Sequence, residues 1–187
     1  MYQIKVLREG FTREHDKNHF FSSCTVTLLI GKYNILIDPG SPFDGADIVD
    51  ELERNNLKLN DINYVICTHE HVDHMGTLHM FKDAIKIFGI EVFEKGSKIS
   101  EITESKPYVI DKNVKVIYTP GHSMFDVSVV VTNDDKISTI SGDIFENENL
   151  EDSSWKEFSQ YPDAQAASRE LIRESSSLII TGHGGII

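Results

Sequence analysis

Apolar and polar positions along the chain switch between a two-residue and a helical period, and the switches divide it into elements. Near the amino end, residues 24–30 and 34–37 are β-rich runs separated by Gly31-Lys32-Tyr33, a hairpin pattern that Asp38-Pro39-Gly40 then stops. Residues 46–59 carry Ile48, Val49, Leu52 and Leu57 among charges, which predicts an amphipathic helix following Asp44 and Gly45. Residues 62–68 form a short apolar run with β-branched side chains, a buried strand that delivers the chain to His69. A short helix over 78–84, a strand over 85–93 interrupted at Gly89 and a polar loop over 94–105 follow. Strands resume at 114–118, 127–132 and 137–141, the last two joined across Asn133-Asp134-Asp135 as a second hairpin. Residues 163–175 place Ala164, Ala167, Leu171 and Ile172 on one side of a helix, and 178–181 form a final strand. The strands come in two groups, each followed by helices. That order predicts an α/β architecture of two packed sheets with helices outside, not an all-β sandwich.

Composition narrows the class. With 187 residues, 40% apolar and 26% charged, and no internal repeat or linker, the chain is expected to be one domain over 1–187 with nothing appended. A core of that size needs no disulfide scaffold. Two cysteines, Cys24 and Cys67, no charged-then-apolar leader and no long apolar run lead to the expectation of a soluble, cytoplasmic protein without a membrane partner. The 18 Lys+Arg against 30 Asp+Glu, a net charge of −12, disfavour nonspecific adhesion to nucleic acid. Residues 82–115 hold seven lysines against six acids, so no basic stripe for an extended nucleic-acid surface is evident. A small molecule or a short RNA is the substrate this charge pattern leaves open; oligomeric state is not legible.

Eight histidines are unusual, and three of them fall within six residues. The segment Thr68-His69-Glu70-His71-Val72-Asp73-His74 follows a predicted strand, so its side chains leave a rigid element at its end. Burying three imidazoles and a carboxylate there calls for a compensating partner, and a metal ion is one. Imidazole with a few carboxylates suits zinc, and also iron or manganese. Three more donors stand at later strand ends beside glycine: Gly121-His122, Gly142-Asp143 and Gly182-His183. Glycine there lets the backbone bend and approach closely. No Gly-x-Ser-x-Gly elbow or Gly-rich phosphate loop competes for the chemistry.

This ordered set resembles the metallo-β-lactamase-fold hydrolase superfamily, with its His-x-His-x-Asp-His run followed by His, Asp and His. The resemblance runs from about Cys24 to Gly185 and implies a four-layer αββα sandwich of two mixed sheets. It implies that His69, His71 and His122 hold one divalent metal and Asp73, His74 and His183 a second, with Asp143 bridging them. Asp38, in Ile37-Asp38-Pro39-Gly40, is similar to the family's buried supporting acid; a turn-forming Asp-Pro-Gly is the other reading of those residues. Pro120-Gly121-His122, Asp126-Val127-Ser128-Val129-Val130-Val131, Gly142-Asp143-Ile144-Phe145-Glu146 and Ser154-Trp155 together look like the subgroup of metallo-β-lactamase domain-containing protein 1, whose animal member is associated with endonucleolytic processing of histone pre-mRNA. The implied activity is hydrolysis by a metal-bridging hydroxide, with Asp73 or Asp143 receiving a proton, and RNA phosphodiesters among the substrates. Two alternatives stand beside it: a thioester or lactone hydrolase of the hydroxyacylglutathione hydrolase kind, and a mononuclear iron persulfide dioxygenase. Phe145, Trp155 and Cys67 are expected to pack, and His15, His19 and His79 to lie outside the donor set. Segments 11–21, 41–47 and 146–158 are expected to be loops around the metals.

Overall fold

The computed structural model describes residues 1–16, 19–150 and 153–187; parts of the expected loops, positions 17, 18, 151 and 152, lie outside them. Strands β1 (Gln3–Arg8), β4 (Val26–Ile30), β5 (Asn34–Ile37), β6 (Tyr64–Cys67), β7 (Ile85–Phe88), β8 (Glu91–Glu94) and β9 (Ser97–Glu101) form one sheet in that order. Strands β10 (Tyr108–Val109), β11 (Val114–Tyr118), β12 (Val127–Asn133), β13 (Lys136–Ile140) and β14 (Leu178–Ile180) form the second. Both are mixed: β5, β6 and β7 run parallel within the first, and β13 and β14 within the second. A separate hairpin pairs β2 (Phe11–Asp16) with β3 (His19–Ser23).

The two-residue period sorts the side chains. On β4 and β5, Leu29, Ile35 and Ile37 point between the sheets and meet Val116, Val129 and Ile140 of the second sheet. Their neighbours Leu28 and Leu36 point the other way, onto Ile48 and Leu52 of helix α1 (Gly45–Arg54). All four residues of β6 are buried because both of its faces are covered. Across the second sheet, Ile172 of helix α4 (Pro162–Ser175) packs with Ile144, Phe145 and Ile179. Arg169 lies over the rings of Phe145 and Trp155, at 4.3 and 4.8 Å from their centroids. The layering is helix, sheet, sheet, helix, as the strand grouping predicts.

Several elements depart from the expected ones. The first helix ends at Arg54, not 59, because Asn56 turns to a φ of 59° and the chain re-forms only a short 3-10 turn at Leu59–Asp61. The expected helix over 78–84 is a single 3-10 turn, Leu78–Met80. The polar stretch 94–105 contains β9, an edge strand whose exposed residues hide the pattern of a buried one. The segment expected as a loop over 11–21 is the β2–β3 hairpin, and 146–158 includes helix α3 (Trp155–Phe158). Cys24 and Cys67 are both buried and unpaired.

Leu36→Ala removes a fully buried side chain between β5 and α1. It is expected to lower unfolding stability by about 2–5 kcal/mol, read as a shift of the urea midpoint at unchanged slope.

Candidate metal centre

The register of β5 on β6 places the first group of donors. Ile37 pairs with Ile66, so the residues after both strands leave the same edge of the sheet side by side. Asp38 bends back at a φ of 52°, and its backbone N–H donates to Ile66 O at 2.8 Å. Its carboxylate then receives the Thr68 N–H on Oδ1 at 2.7 Å and the Thr68 hydroxyl on Oδ2 at 2.9 Å. The chain continues through His69 and His71 into helix α2 (Val72–Met75), one turn that carries Asp73 and His74. The donor run is therefore extended only as far as His71.

The other donors come from the second sheet. His122 follows β11, held by Tyr161 N–H on Gly121 O (2.9 Å) and by Ser168 on Pro120 O (2.8 Å). Asp143 follows β13 and His183 follows β14. These strand ends cross so closely that a Cβ on Gly142 would overlap the Thr68 hydroxyl, and one on Gly182 would overlap the Asp143 carboxylate. Here glycine is required for the crossing itself.

All seven sequence-predicted donors converge. His69 Nε2 lies 2.9 Å from His71 Nδ1, which lies 3.0 Å from His122 Nε2. Asp143 Oδ2 is 3.4 Å from His69 Nε2 and 3.5 Å from His122 Nε2. On the other side, His74 Nε2 is 3.3 Å from Asp143 Oδ1 and 3.9 Å from Asp73 Oδ2. His183 Nε2 is 3.1 Å from Asp143 Oδ2 and 3.9 Å from Asp73 Oδ2. Donors about 2.0–2.1 Å from a tetrahedral ion are separated by about 3.3 Å, so these edges are of the length a metal polyhedron needs. His15, His19 and His79 are exposed and outside the cluster.

Hydrogen bonds behind the rings settle which nitrogens face inward. Thr68 gives its proton to Asp38, so its oxygen accepts from His69 Nδ1 at 3.1 Å. His183 Nδ1 faces the acceptor-only Ser23 carbonyl at 3.1 Å, and His74 Nδ1 lies 3.0 Å from Asp38 Oδ2. In His69 and His183 the hydrogen bond marks Nδ1 as the protonated nitrogen, in His74 the ion-pair contact with Asp38 does, and in all three rings Nε2 is turned to the centre. His74 Nε2 and Asp143 Oδ1 are buried with no hydrogen-bond partner among the described residues, an arrangement a bound cation would satisfy.

Charge is distributed accordingly. Burial pushes His69 well below the ordinary imidazole value and His122 down to about 4, leaving both rings neutral. Burial acts the same way on His74 and His183, but Asp143 outweighs it, joined by Asp38 at His74. His74 is raised well above its usual value and His183 to about 9. Burial opposes the charge of Asp143, yet His74, His183 and His69 hold its carboxyl well below the usual carboxylate range. Two protons thus stand where positive charge is needed beside a buried carboxylate.

Comparison with known proteins identifies the arrangement. A model of the metallo-beta-lactamase superfamily matches residues 19–92. Over 187 residues the chain is 30% identical to metallo-beta-lactamase domain-containing protein 1 of Xenopus laevis, with 98% of this chain and 80% of that one covered. The chain belongs to the metallo-beta-lactamase superfamily. As a member of it, the protein is a metal-dependent hydrolase. The human protein of the same name is 32% identical over 155 residues, covering 80% of this chain and 58% of the human one. The chain thus spans about three fifths of that relative. The fold matches an N-acyl homoserine lactone hydrolase, solved with the product N-hexanoyl-L-homoserine at its catalytic metal center, at a TM-score of 0.73 and 18% identity over 97% of this chain and 92% of that one.

In this metallo-beta-lactamase-fold chain His71, Asp73, His122, Asp143 and His183 form the floor of a cavity of about 300 Å³. Four groups in or above it went unassigned in the sequence. Ser22 donates to Asp73 Oδ2 at 3.0 Å and lies 3.1 Å from His183 Nδ1. Glu146 reaches within 3.7 Å of His122 Nδ1 and 4.0 Å of His183 Nε2, and burial beside Asp143 raises it to about 8. Phe20 and Phe158 stand at the rim. Only Glu146 left a signal, its place three residues after Asp143; the others depend on how distant segments fold over the donors. Phe145 and Trp155 are buried packing residues, as expected, and no helix among the described residues is long and apolar enough to cross a membrane.

Loading a divalent cation requires His74 and His183 to give up their protons. At pH 7, titration with zinc is expected to release about two protons per chain, measured calorimetrically in buffers of different ionisation enthalpy. Release should diminish as pH rises through about 9, the value for His183.

Proposed function

We propose that the protein is a dinuclear metal hydrolase. His69, His71 and His122 would hold one ion, Asp73, His74 and His183 the second, and Asp143 would be shared between them. The observation that carries this reading is the position of Asp143 between the two donor groups: its Oδ2 lies 3.4 Å from His69, 3.5 Å from His122 and 3.1 Å from His183, and its Oδ1 lies 3.3 Å from His74. A single ion would leave one of the two donor groups, each buried in part, without a partner. Imidazole and carboxylate together favour zinc, with iron and manganese as the alternatives.

Two divalent ions, when bound, supply Lewis acidity and lower the pKa of an attacking water toward neutrality. The chain supplies the rest. Asp73 lines the cavity and would take the proton released as water adds to the substrate, while the Ser22 hydroxyl, donating to Oδ2, holds the carboxylate in place. Asp143, fully enclosed by imidazoles, stays ionised throughout. The Asp38–Thr68 pair keeps His69 and His74 turned inward, so the site is built before substrate arrives.

Chelator treatment should abolish hydrolysis of activated esters, and zinc, iron or manganese should restore it. The native chain is expected to hold two ions. His71→Ala, at an exposed donor, should hold one fewer and lose more than about 100-fold in kcat/KM, since even groups that merely orient a metal ligand account for 10–100-fold. One iron per chain, with oxygen consumed on addition of a persulfide, would replace the hydrolase reading by the dioxygenase one.

A further inference from the structure

Two phenylalanines from unrelated parts of the chain meet over the donor floor. Phe20 lies on β3 and Phe158 ends α3, and their rings pack edge to face with centroids 5.9 Å apart. Both line the cavity that holds the donors, yet they remain 50% and 43% exposed. Rings this open, held in contact by segments 138 positions apart in sequence, contribute little to the core. They form an apolar wall with its free faces turned to the cleft.

The rest of the lining carries acidic groups. Among the described residues lining the cavity there is no lysine or arginine, while Glu146 joins Asp73 and Asp143 as a third carboxylate. Farther out, the mouth adds Arg13 together with Glu14 and Glu157. The lining suits a substrate that becomes anionic only as water adds, and within the cavity itself it offers a phosphate no cationic side chain. The cavity, about 300 Å³, is at the size of a small-molecule site.

We infer that the Phe20–Phe158 pair is the binding subsite for the apolar acyl group of an uncharged carboxylic ester, lactone or thioester. This rests on the hydrolytic reading above. Water adds to the carbonyl carbon, the bond from that carbon to the alcohol oxygen or thiol sulfur breaks, the leaving group departs with one proton, and the acyl group leaves as a carboxylate with release of a second. The aromatic wall holds the acyl chain while the carbonyl sits over the donors.

The test uses the full metal-loaded chain with 4-nitrophenyl acetate, 4-nitrophenyl hexanoate, bis(4-nitrophenyl) phosphate and a short single-stranded RNA. The hexanoate ester should exceed the acetate in kcat/KM by about tenfold, for partial burial of four added methylenes. Phe158→Ala, and separately Phe20→Ala, should bring that ratio close to one, chiefly through KM. An unchanged ratio in both variants, or a preference for the phosphodiester or the RNA, would overturn the inference. If none of the four substrates is cleaved, the hydrolytic reading fails, and the subsite is read without turnover from quenching of the single tryptophan, Trp155, by N-(4-nitrophenyl)hexanamide and 4-nitroacetanilide. Tighter binding of the hexanamide, lost in Phe158→Ala, supports the subsite; equal binding of the two amides overturns it.

Discussion

The buried carboxylate of Asp38 is the contact on which the donor group of the first sheet depends. It closes the end of β5 onto the end of β6, accepting both the backbone and the hydroxyl protons of Thr68, and it faces His74 Nδ1. An ionised carboxylate taken out of water costs several kcal/mol unless its oxygens are partnered, so this arrangement is stable only while all three contacts exist together. The backbone contributes to the cost: a φ of 52° at a non-glycine residue is worth about 1–2 kcal/mol. The gain is orientation. Through Thr68 the same carboxylate fixes His69, and directly it fixes His74, so two rings assigned to different ions are set by one group.

From that edge the rest of the centre follows by packing. The second sheet lies face to face with the first over Ile37, Ile66, Val129 and Ile140, which brings the ends of β11, β13 and β14 over the end of β6. Val127 N–H donates to Thr68 O at 2.9 Å, a direct tie between the sheets at the level of the donors. Asp143 then enters a ring of imidazoles. The field there divides the histidines: His69 and His122 stay neutral by burial, whereas His74 and His183 take up protons against burial because Asp143 demands a counter-charge. A protein that gains divalent cations at such a place exchanges protons for metal, with no need to assemble the site anew.

The donors were legible in the sequence because each is announced locally. A buried strand ends at a histidine run, and the later donors each follow a glycine whose absence of a side chain the crossing backbones require. The two-sheet layering was legible for a similar reason, since β4, β5, β6 and β12 carry apolar runs that leave few alternatives. What escaped is structure without a local apolar signal. The β2–β3 hairpin has polar and charged residues on both faces, and β9 is an exposed edge. Helix α1 ends early at two asparagines even though Leu57 continues its apolar pattern. Ser22, Phe20 and Phe158 acquire meaning only when the hairpin and α3 close over the cleft, which no periodicity along either segment reports.

The proposed pair of ions is best tested by where metal sits. Crystals of the metal-loaded chain, with diffraction recorded on both sides of the zinc absorption edge, locate each ion by its anomalous signal alone. Two peaks are expected in the cleft, one within bonding distance of His69 Nε2, His71 Nδ1 and His122 Nε2, the other of Asp73, His74 Nε2 and His183 Nε2, with Asp143 reaching both. A single peak at full metal saturation, or peaks away from these seven side chains, would contradict the dinuclear centre.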